Sequence, residues 1–452
     1  MIFDKVLEIY QKYYICIHCL GRMFSLLGTN TTNYERGNSL LLAITMENHK
    51  NYLGRNEALQ KESINNLKIL AVNANYSPAQ AVLIKEGLNY SLNNSNQVCY
   101  LCNDIFNNIQ EYVTKTEQKL MEIEFSNFLI GTSPKSRIIN REDKFKAELN
   151  LLEAESFKSH FNRVVGKKLM KVIDKVPEFN KPDILIIYSI DYNSFDFEIL
   201  FKSLFIYGRY KKLIRGIPQT HWFCKKCDGK GCEMCNFTGK QYLTSVEELI
   251  SPYFIKEANS TDSKFHGAGR EDIDVRMLGL GRPFIIELRN PKKRTLDLIK
   301  LEKKVNKKNR KKIQIRDLKY SSKNEVIKLK TNAKSTKKLY KAIVLTEAKF
   351  SKNQFNQKLL ELNRVFINQT IKQRTPKRVS HRRADKLREK FIYKIEGHFI
   401  KSNLFEFIII SQGGTYIKEL ISGDDGRTSP SFSEIFKTNL VCKELDVLEV
   451  SM

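Results

Sequence analysis

Residues 265–284 read FHGAGREDIDVRMLGLGRPF, and this segment shapes the interpretation of the whole chain. Its first glycines allow a backbone turn close to a ligand, and the following IDVRML alternates apolar and polar residues like a strand with one buried face. An acid between two arginines at such a turn would have its anionic form favoured by the neighbouring positive charge. The segment therefore predicts either a catalytic carboxylate or a charged hairpin held by surface ion pairs.

The 452-residue chain is strongly basic, with 77 Lys and Arg against 50 Asp and Glu and a formal net charge of +27. A charge of this size indicates a polyanionic partner, either nucleic acid or an acidic membrane face. The longest apolar runs are far too short to cross a bilayer, and the charged start MIFDKVLEIYQKYY does not resemble a targeting peptide. We therefore expect a cytoplasmic protein with no membrane partner.

Changes of pattern along the chain predict two domains. Residues 1–125 show helical periodicity, residues 126–200 mix strand and helix patterns, and strand-like segments with glycines dominate afterwards. The predicted division is 1–190 and 191–452. Within the second part, residues 289–338 hold 20 Lys and Arg against 4 acids. We expect the stretch at about 298–338 to be a basic insertion or loop, either solvated or lying on a polyanion.

Eight of the nine cysteines form two quartets. Cys16 and Cys19 pair with Cys99 and Cys102 across about 80 residues, and the second quartet lies within 224–235 as Cys224, Cys227, Cys232 and Cys235. Each two-residue spacing lets two thiolates face one metal ion, and four thiolates complete a tetrahedral structural zinc site. The alternative for the first quartet is a set of buried free cysteines. We expect two structural zinc ions per chain.

Longer motifs around the opening segment resemble one enzyme family. GREDIDVRMLGLGRPF at 269–284 resembles the catalytic-aspartate motif of the archaeal and eukaryotic pseudouridine synthases that modify the T arm of tRNA at positions 54 and 55. RYKKLIRGIPQTHW, QRTPKRVSHRRADKLR and GTYIKELISGDDGRTSPSFSEIF resemble further motifs of that family, in the expected order. FLIGTSPKSRIINRED with AESFKSHFNRVVGKKL resembles its THUMP-type RNA-binding module. The resemblance covers nearly the whole chain.

The resemblance implies a fold and a reaction. The fold would be α+β, with a pseudouridine-synthase catalytic domain around a central, mainly antiparallel sheet and an N-terminal α/β accessory domain that contains the THUMP module. The reaction would isomerise uridine 55, and possibly uridine 54, in the T loop of tRNA by detaching uracil from C1′ of the ribose, turning it and rejoining it through C5. This chemistry uses no organic cofactor.

The same resemblance assigns residues to the site. Asp272 matches the catalytic aspartate, a nucleophile or charge partner toward the ribose. Lys418 matches the basic residue that pairs with that aspartate, and Tyr340 matches the tyrosine that stacks on the target base. We expect Arg270 and Arg276 to be partners of phosphates or carboxylates. The apolar wall would include Ile417 and Leu420.

Two basic strips are candidates for contact with the RNA backbone, and each could instead be a solvated face. The first precedes the second cysteine quartet and the second follows residue 370; together they comprise Arg209, Lys211, Lys212, Arg215, Arg374, Lys377, Arg378, Arg382 and Arg383. The N-terminal module would hold the acceptor stem and orient the tRNA by its shape. The sequence indicates no obligatory protein partner.

Two other functions compete with this interpretation. A zinc-stabilised tRNA-binding or chaperone protein without activity would need the cysteines and the basic surface, but it would have no use for Asp272, Tyr340 and Lys418 together. Another THUMP-bearing tRNA-modifying enzyme would need a glycine-rich cofactor loop or an ATP motif. The nearest candidate, GLGRPF, lacks both the G-x-G-x-x-G spacing and a Walker lysine.

Overall fold

The structure, a computed structural model, describes residues 2–91, 97–151, 154–192, 194–332, 336–367 and 369–450, apart from the side chain of Arg382. The chain divides into two compact units, Met1–Lys202 and Ser203–Met452. The sequence pattern placed this division at 190. The structure places it later because the strand Ser194–Phe201 pairs with the strand before it and so belongs to the first unit.

Helices build the first half of the N-terminal unit. They are α1 (Ile2–Lys12), α2 (Ile17–Met23), α3 (Asn33–Tyr52), α4 (Glu57–Lys68), α5 (Ser77–Lys85) and α6 (Ile109–Leu120). Thr32 starts α3 in a capping box, in which its hydroxyl accepts from the backbone N–H of Glu35 and its own N–H donates to the Glu35 carboxylate. A Cβ on Gly21 would lie 1.7 Å from the carbonyl oxygen of Asn33, so glycine at this position lets α2 and α3 pack closely.

A small sheet completes this unit. Its elements in chain order are β1 (Asn127–Pro134), α7 (Ser136–Glu148), α8 (Phe157–Ile173), β2 (Val176–Pro177), β3 (Ile184–Asp191) and β4 (Ser194–Phe201). The strand order is β2-β1-β3-β4, with β1 parallel to β2 and β3, and β3 antiparallel to β4. Alternate residues of β3 are buried beneath α8, as its apolar sequence predicts.

The second unit consists mainly of strands. Its elements are β5 (Leu204–Lys212), α9 (Val246–Ala258), β6 (Asp262–Gly267), β7 (Arg276–Arg289), α10 (Leu298–Lys308), β8 (Ile313–Ser321), α11 (Lys323–Asn332), β9 (Lys337–Thr346), α12 (Lys352–Phe366), β10 (Thr370–Arg374), β11 (Leu387–Lys401), β12 (Leu404–Gln412), α13 (Ile417–Ser422), β13 (Thr428–Ser429), α14 (Phe432–Phe436) and β14 (Leu440–Val450). Its apolar core lies between the sheet and the helices α9, α10, α12 and α14.

One continuous sheet organises this unit, in the order β13-β10-β11-β12-β9-β14-β7-β5-β8, with β6 paired to β7. The pair β14 and β7 is parallel, and the other described pairs are antiparallel. The predicted α+β class and the central, mainly antiparallel sheet are confirmed. The centre of the sheet brings the turn before β7 next to β9 and β14, and this arrangement positions the site.

The basic stretch at about 298–338 is folded rather than a loop. It forms α10, β8, α11 and the start of β9, and β8 adds to the edge of the sheet beside β5. Leu301 and Val305, four residues apart on α10, are buried together with Ile313 and Ile315 of β8. The lysines between them point outward, so composition hid an amphipathic helix and strand; residues 333–335 lie outside the described part.

Among the residues that the structure describes, no helix combines the length and the apolar character needed to span a bilayer.

Candidate active site

The turn between β6 and β7 carries Asp272. The alternation of IDVRML predicted a strand over these residues. However, β7 begins only at Arg276, so Asp272 and Asp274 lie on this turn and not on one face of a strand. Gly269 has φ +73°, a left-handed conformation that favours glycine, and lets the backbone bend there. The Asp272 side chain is 29% exposed, and the residue lines a pocket of about 380 Å³.

Lys212 stabilises this turn through hydrogen bonds to its backbone. It lies at the end of β5, is fully buried, and its ammonium donates to the carbonyl oxygens of Ile217, Asp272 and Ile273 at 3.0, 3.0 and 3.1 Å. Burial lowers the pKa of Lys212, and the nearby carboxylate of Glu271 partly opposes this effect. The prediction that Lys212 contacts RNA is therefore wrong, because a side chain with no exposed surface cannot reach the substrate.

A buried network supports the same turn. The Glu271 carboxylate accepts from the Tyr210 hydroxyl at 3.0 and 2.9 Å and from Arg282 Nε at 2.8 Å. Arg282 also donates through Nη1 to the carbonyl oxygen of Ala268 at 2.8 Å. A buried ion pair with these additional hydrogen bonds fixes the backbone on both sides of Gly269. Asp272 therefore projects from a rigid base.

The cation paired with Asp272 is Arg378. Its Nη1 lies 2.9 Å from the Asp272 Oδ2, and its Nε donates to the buried Glu419 at 2.5 Å. Burial opposes the charge of Arg378, but the hydrogen bond to Glu419 and the charges of Glu419 and Asp272 outweigh it and raise the pKa of Arg378. The guanidinium thus bridges two carboxylates and fixes the direction of one of them.

Lys418 has a different partner from the one predicted. Its ammonium lies 2.5 Å from the Asp274 Oδ2, and this contact lowers the pKa of Asp274 despite the opposing effect of burial. The prediction that Lys418 pairs with Asp272 is therefore not what the structure shows. Lys418 also lies in the first turn of α13 and not in a strand, although it does line the pocket.

Tyr340 and Ile417 also line the pocket. Tyr340 lies on β9 and is only 7% exposed, and burial raises its pKa to about 12, an effect that Arg282 partly opposes. Its hydroxyl has no hydrogen-bond partner among the described residues, so it is available to a ligand. Leu420, predicted as apolar wall, is instead fully buried in the core of the unit.

Two sequence profiles match the chain: "Pus10, C-terminal" over residues 205–451 and "Pus10 THUMP domain, archaeal" over residues 112–189. A protein of Methanocaldococcus jannaschii named tRNA pseudouridine synthase Pus10 is 41% identical over 98% of this chain and 93% of its own length. The chain belongs to the Pus10 family. The protein of the same name from Methanopyrus kandleri is 36% identical over 99% of this chain and 98% of its own length.

Membership of the Pus10 family agrees with the resemblance found in the sequence. Among solved structures, a chain in the crystal structure of a Cbf5–Nop10–Gar1 complex is 18% identical, with a TM-score of 0.27 and 45% of each chain covered. A TM-score this low supports no conclusion. The profile matches place the THUMP module in the N-terminal unit and the Pus10 C-terminal region in the second unit.

Several cations that the sequence proposed for RNA binding are engaged within this Pus10 chain. Arg209 donates to the carbonyl oxygens of Leu280, Gly281 and Val450. Arg215 and Arg276 both bind Asp446, and the Arg276 contact is bidentate, with Nε–Oδ1 at 2.9 Å and Nη2–Oδ2 at 2.6 Å. These three side chains tie β5, β7 and the turn before β7 to β14, so their first role is structural.

The other predicted cations remain at least partly exposed. Arg270 is exposed, with its guanidinium 5.5 Å from the ring centre of Trp222, and Lys211 is half-buried. Three more of the predicted cations pair with polar groups near the pocket mouth or the end of β10. Arg374 pairs with Asp385, Lys377 with Asp425, and Arg383 with the Tyr416 hydroxyl. The side chain of Arg382 lies outside the described residues.

Both cysteine quartets come together in space. In each group the Sγ atoms all lie within 4.8 Å of one another. Four sulfurs about 2.3 Å from one tetrahedral ion would be roughly 3.8 Å apart. The pairs Cys224–Cys232 and Cys227–Cys235 match this spacing at 3.8 Å each, and Cys16–Cys102 lies at 3.6 Å. Each quartet could therefore hold a metal ion with no open coordination position.

Sequence reasoning gave Arg378 a different role and missed Glu271 and Arg282. Arg378 was expected on the RNA backbone, whereas it pairs with Asp272. Glu271 and Arg282 form the base of the turn, although the motif gives no sign that Glu271 points inward while Asp272 points outward. Glu271 is buried and Asp272 is partly exposed. Only the geometry of the turn shows which of these two adjacent acids is exposed.

Proposed function

We propose that this protein isomerises uridine to pseudouridine in tRNA, with uridine 55 of the T loop as its first target and uridine 54 as a second. The observation that carries the proposal is the Asp272 carboxylate, fixed by the Arg378 guanidinium at 2.9 Å in a pocket that it shares with Tyr340. Relatives that cover nearly the whole chain bear the name tRNA pseudouridine synthase, which supports the substrate class.

The reaction breaks the bond between N1 of uracil and C1′ of ribose and forms a bond between C5 and C1′. The C5 hydrogen is lost as a proton and N1 gains one, so the product is an isomer and no external group is consumed. Neither an oxidant nor an organic cofactor is required. A carboxylate at the ribose, held by a cation in a partly dry pocket, is the group this chemistry needs.

The roles of the side chains follow from their surroundings. Asp272 acts on the ribose, either as a nucleophile at C1′ or as a charge partner. Arg378 orients that carboxylate through its contact at 2.9 Å. The ring of Tyr340 stacks on the target base, and its free hydroxyl faces the ligand. Lys418 pairs with Asp274 and forms part of the pocket wall, so it acts on the site without contacting Asp272.

A base of the T loop must leave its stack to enter this pocket, at a cost of a few kcal/mol (order of magnitude). Binding of the rest of the tRNA offsets this cost. The exposed Arg270, Arg374, Lys377 and Arg383 would contact the T arm, and the THUMP-bearing unit would contact the acceptor stem by its shape. The net charge of +27 supports such a substrate.

Both quartets would hold zinc in structural sites. Four thiolates fill the tetrahedral coordination of zinc, and backbone N–H groups point at the sulfurs, such as Gly239 N at 3.2 Å from Cys235 Sγ. Reduced thiolates in this number also suit a cytoplasmic protein.

The test is single-turnover conversion of unmodified tRNA transcript, with every uridine mapped by carbodiimide stops. The variant Asp272→Ala should abolish conversion of uridine 55 and leave tRNA affinity within a few fold, because Asp272 pairs with Arg378 rather than anchoring the fold. Asp274→Asn is the matched comparison, since it removes a nearby carboxylate that pairs with Lys418 and not with Arg378, and we expect a loss of about tenfold or less. Full conversion by Asp272→Ala would exclude the assigned carboxylate.

A further inference from the structure

Lys338 is a buried cation of the pocket to which the proposed reaction has so far given no role. It lies on β9 two residues before Tyr340, so the two side chains share one face of the strand. Both line the pocket, and both are only 7% exposed. The segment KKLYKAIVL at 337–345 therefore brings both a tyrosine and an ammonium group to the site.

The ammonium of Lys338 has no hydrogen-bond or ion-pair partner among the residues that the structure describes. The carboxylate that could pair with this ammonium, Glu271, already accepts hydrogen bonds from Tyr210 and Arg282. The ammonium faces the catalytic turn, because a Cβ built on Gly269 would lie 3.6 Å from Lys338 Nζ and 3.3 Å from Arg282 Nη1. An unpaired buried cation is costly, so its presence here calls for a ligand.

The charged groups around this ammonium are mainly positive. Arg282 of β7 and Lys390 of β11 are the cations nearest to it, and Glu271 is the opposing carboxylate. Burial, followed by the charge of Arg282, lowers the pKa of Lys338 to about 7. This side of the pocket therefore suits an occupant that carries negative charge during at least part of the reaction.

Two parts of the nucleotide could supply that charge. The phosphates belong to a chain that continues on both sides of the flipped nucleotide, so they remain at the mouth, whereas the base enters deepest. Uracil is neutral when it binds. When the C1′–N1 bond breaks, its electron pair remains on the base, and the negative charge spreads over N1, O2 and O4.

We propose that Lys338 is a catalytic residue that binds a carbonyl oxygen of the target uracil and stabilises the anion formed while the base is detached from the ribose. This inference rests on the proposed function. Meanwhile, either C1′ forms a bond to the Asp272 carboxylate, or C2′ gives a proton to that carboxylate and a C1′–C2′ double bond forms. C5 then attacks C1′, which releases the carboxylate in the first route and returns the proton to C2′ in the second. The C5 proton leaves, N1 is protonated, and Lys338 stays an ammonium throughout.

The first test compares Lys338→Met, Lys338→Arg and the control Lys341→Met. Lys341 lies on the other face of the same strand and pairs with Glu406 at 2.5 Å. Loss of one electrostatic stabiliser of developing charge lowers a rate about 100-fold to 1,000-fold. We expect this loss in the single-turnover rate of Lys338→Met, with tRNA affinity within a few fold, partial recovery in Lys338→Arg, and a normal rate in Lys341→Met.

The pH dependence of the rate gives an independent readout. Below pH 7 the Lys338 amine carries the charge that the anion needs, and above pH 7 the free enzyme loses it. At subsaturating enzyme, the wild-type rate should therefore fall as the pH rises through about 7. Tyr340, with a pKa near 12, does not titrate in this range, and Arg282 keeps its charge. Lys338→Arg should remove this fall, because a guanidinium stays protonated.

The possible results separate the role of Lys338 from the proposed function. An active wild type with an equally active Lys338→Met overturns the inference and leaves the proposed function standing. Weaker tRNA binding at an unchanged single-turnover rate also overturns it, in favour of a backbone phosphate contact. A lowered thermal midpoint for Lys338→Met would make Lys338 a structural residue; we expect an unchanged or raised midpoint. A wild type that forms no pseudouridine overturns the proposed function itself.

Discussion

The assignment of the cation beside Asp272 turns on two residues, Arg378 and Lys418. The sequence favoured Lys418 from its place in GTYIKEL, and the structure pairs Lys418 with Asp274 instead. The two acids are two positions apart on a turn, where side chains need not share a face. The family resemblance could therefore locate Asp272 and Lys418 but could not tell which acid meets which cation.

Removal of the two cations should have unequal effects. Arg378→Met leaves both Asp272 and Glu419 without their guanidinium, so we expect the single-turnover rate of pseudouridine formation to fall about 100-fold or more. Lys418→Met removes only the partner of the more exposed Asp274, and we expect a loss of about tenfold or less. Rates measured at saturating enzyme separate chemistry from tRNA binding. A slower Lys418→Met than Arg378→Met would reverse the assignment.

The turn that carries Asp272 depends on β5, because the last residue of that strand provides its anchor. Lys212→Met leaves the carbonyl oxygens of Asp272 and Ile273 without their buried charged donor. We expect a loss of about 3 kcal/mol in the free energy of unfolding, measured by urea denaturation, together with loss of activity. Lys211→Met changes the preceding, half-buried residue and should stay within about 0.5 kcal/mol of the wild type. Equal stabilities for the two variants would contradict the anchoring role.

Elements were predictable from sequence where one periodicity dominated, and were not where charge masked it. The apolar run at β3 predicted a strand correctly, and the helical periodicity of residues 1–125 agrees with the six helices α1 to α6 found there. The stretch that forms α10 and β8 has the composition of a basic insertion or loop, because lysines outnumber its four buried apolar residues. Even so, Leu301 and Val305 lie at helical spacing, and that pattern could have identified α10.

The whole chain combines a basic surface with a site whose own charges are nearly all paired. Arg209, Arg215 and Arg276 make contacts within the second unit and so contribute to the net charge of +27 without being free for RNA. Net charge could predict the class of partner because long-range fields sum over all residues. It could not predict which cations touch the partner, because that depends on the pairings made in the fold.

Each of the two units contains one cysteine quartet, so metal content tests the architecture of the whole chain. We expect two zinc ions per wild-type chain by elemental mass spectrometry, and one ion after Cys227→Ser with Cys235→Ser. Cys16→Ser with Cys19→Ser should also leave one ion, and should in addition abolish cooperative unfolding of the N-terminal unit, because these cysteines are buried in its core. Cys442 lies outside both quartets, so the Cys442→Ser variant should retain two ions. A wild-type count near zero after gentle purification would exclude both metal sites, since four converging thiols without a metal would then be only a feature of packing.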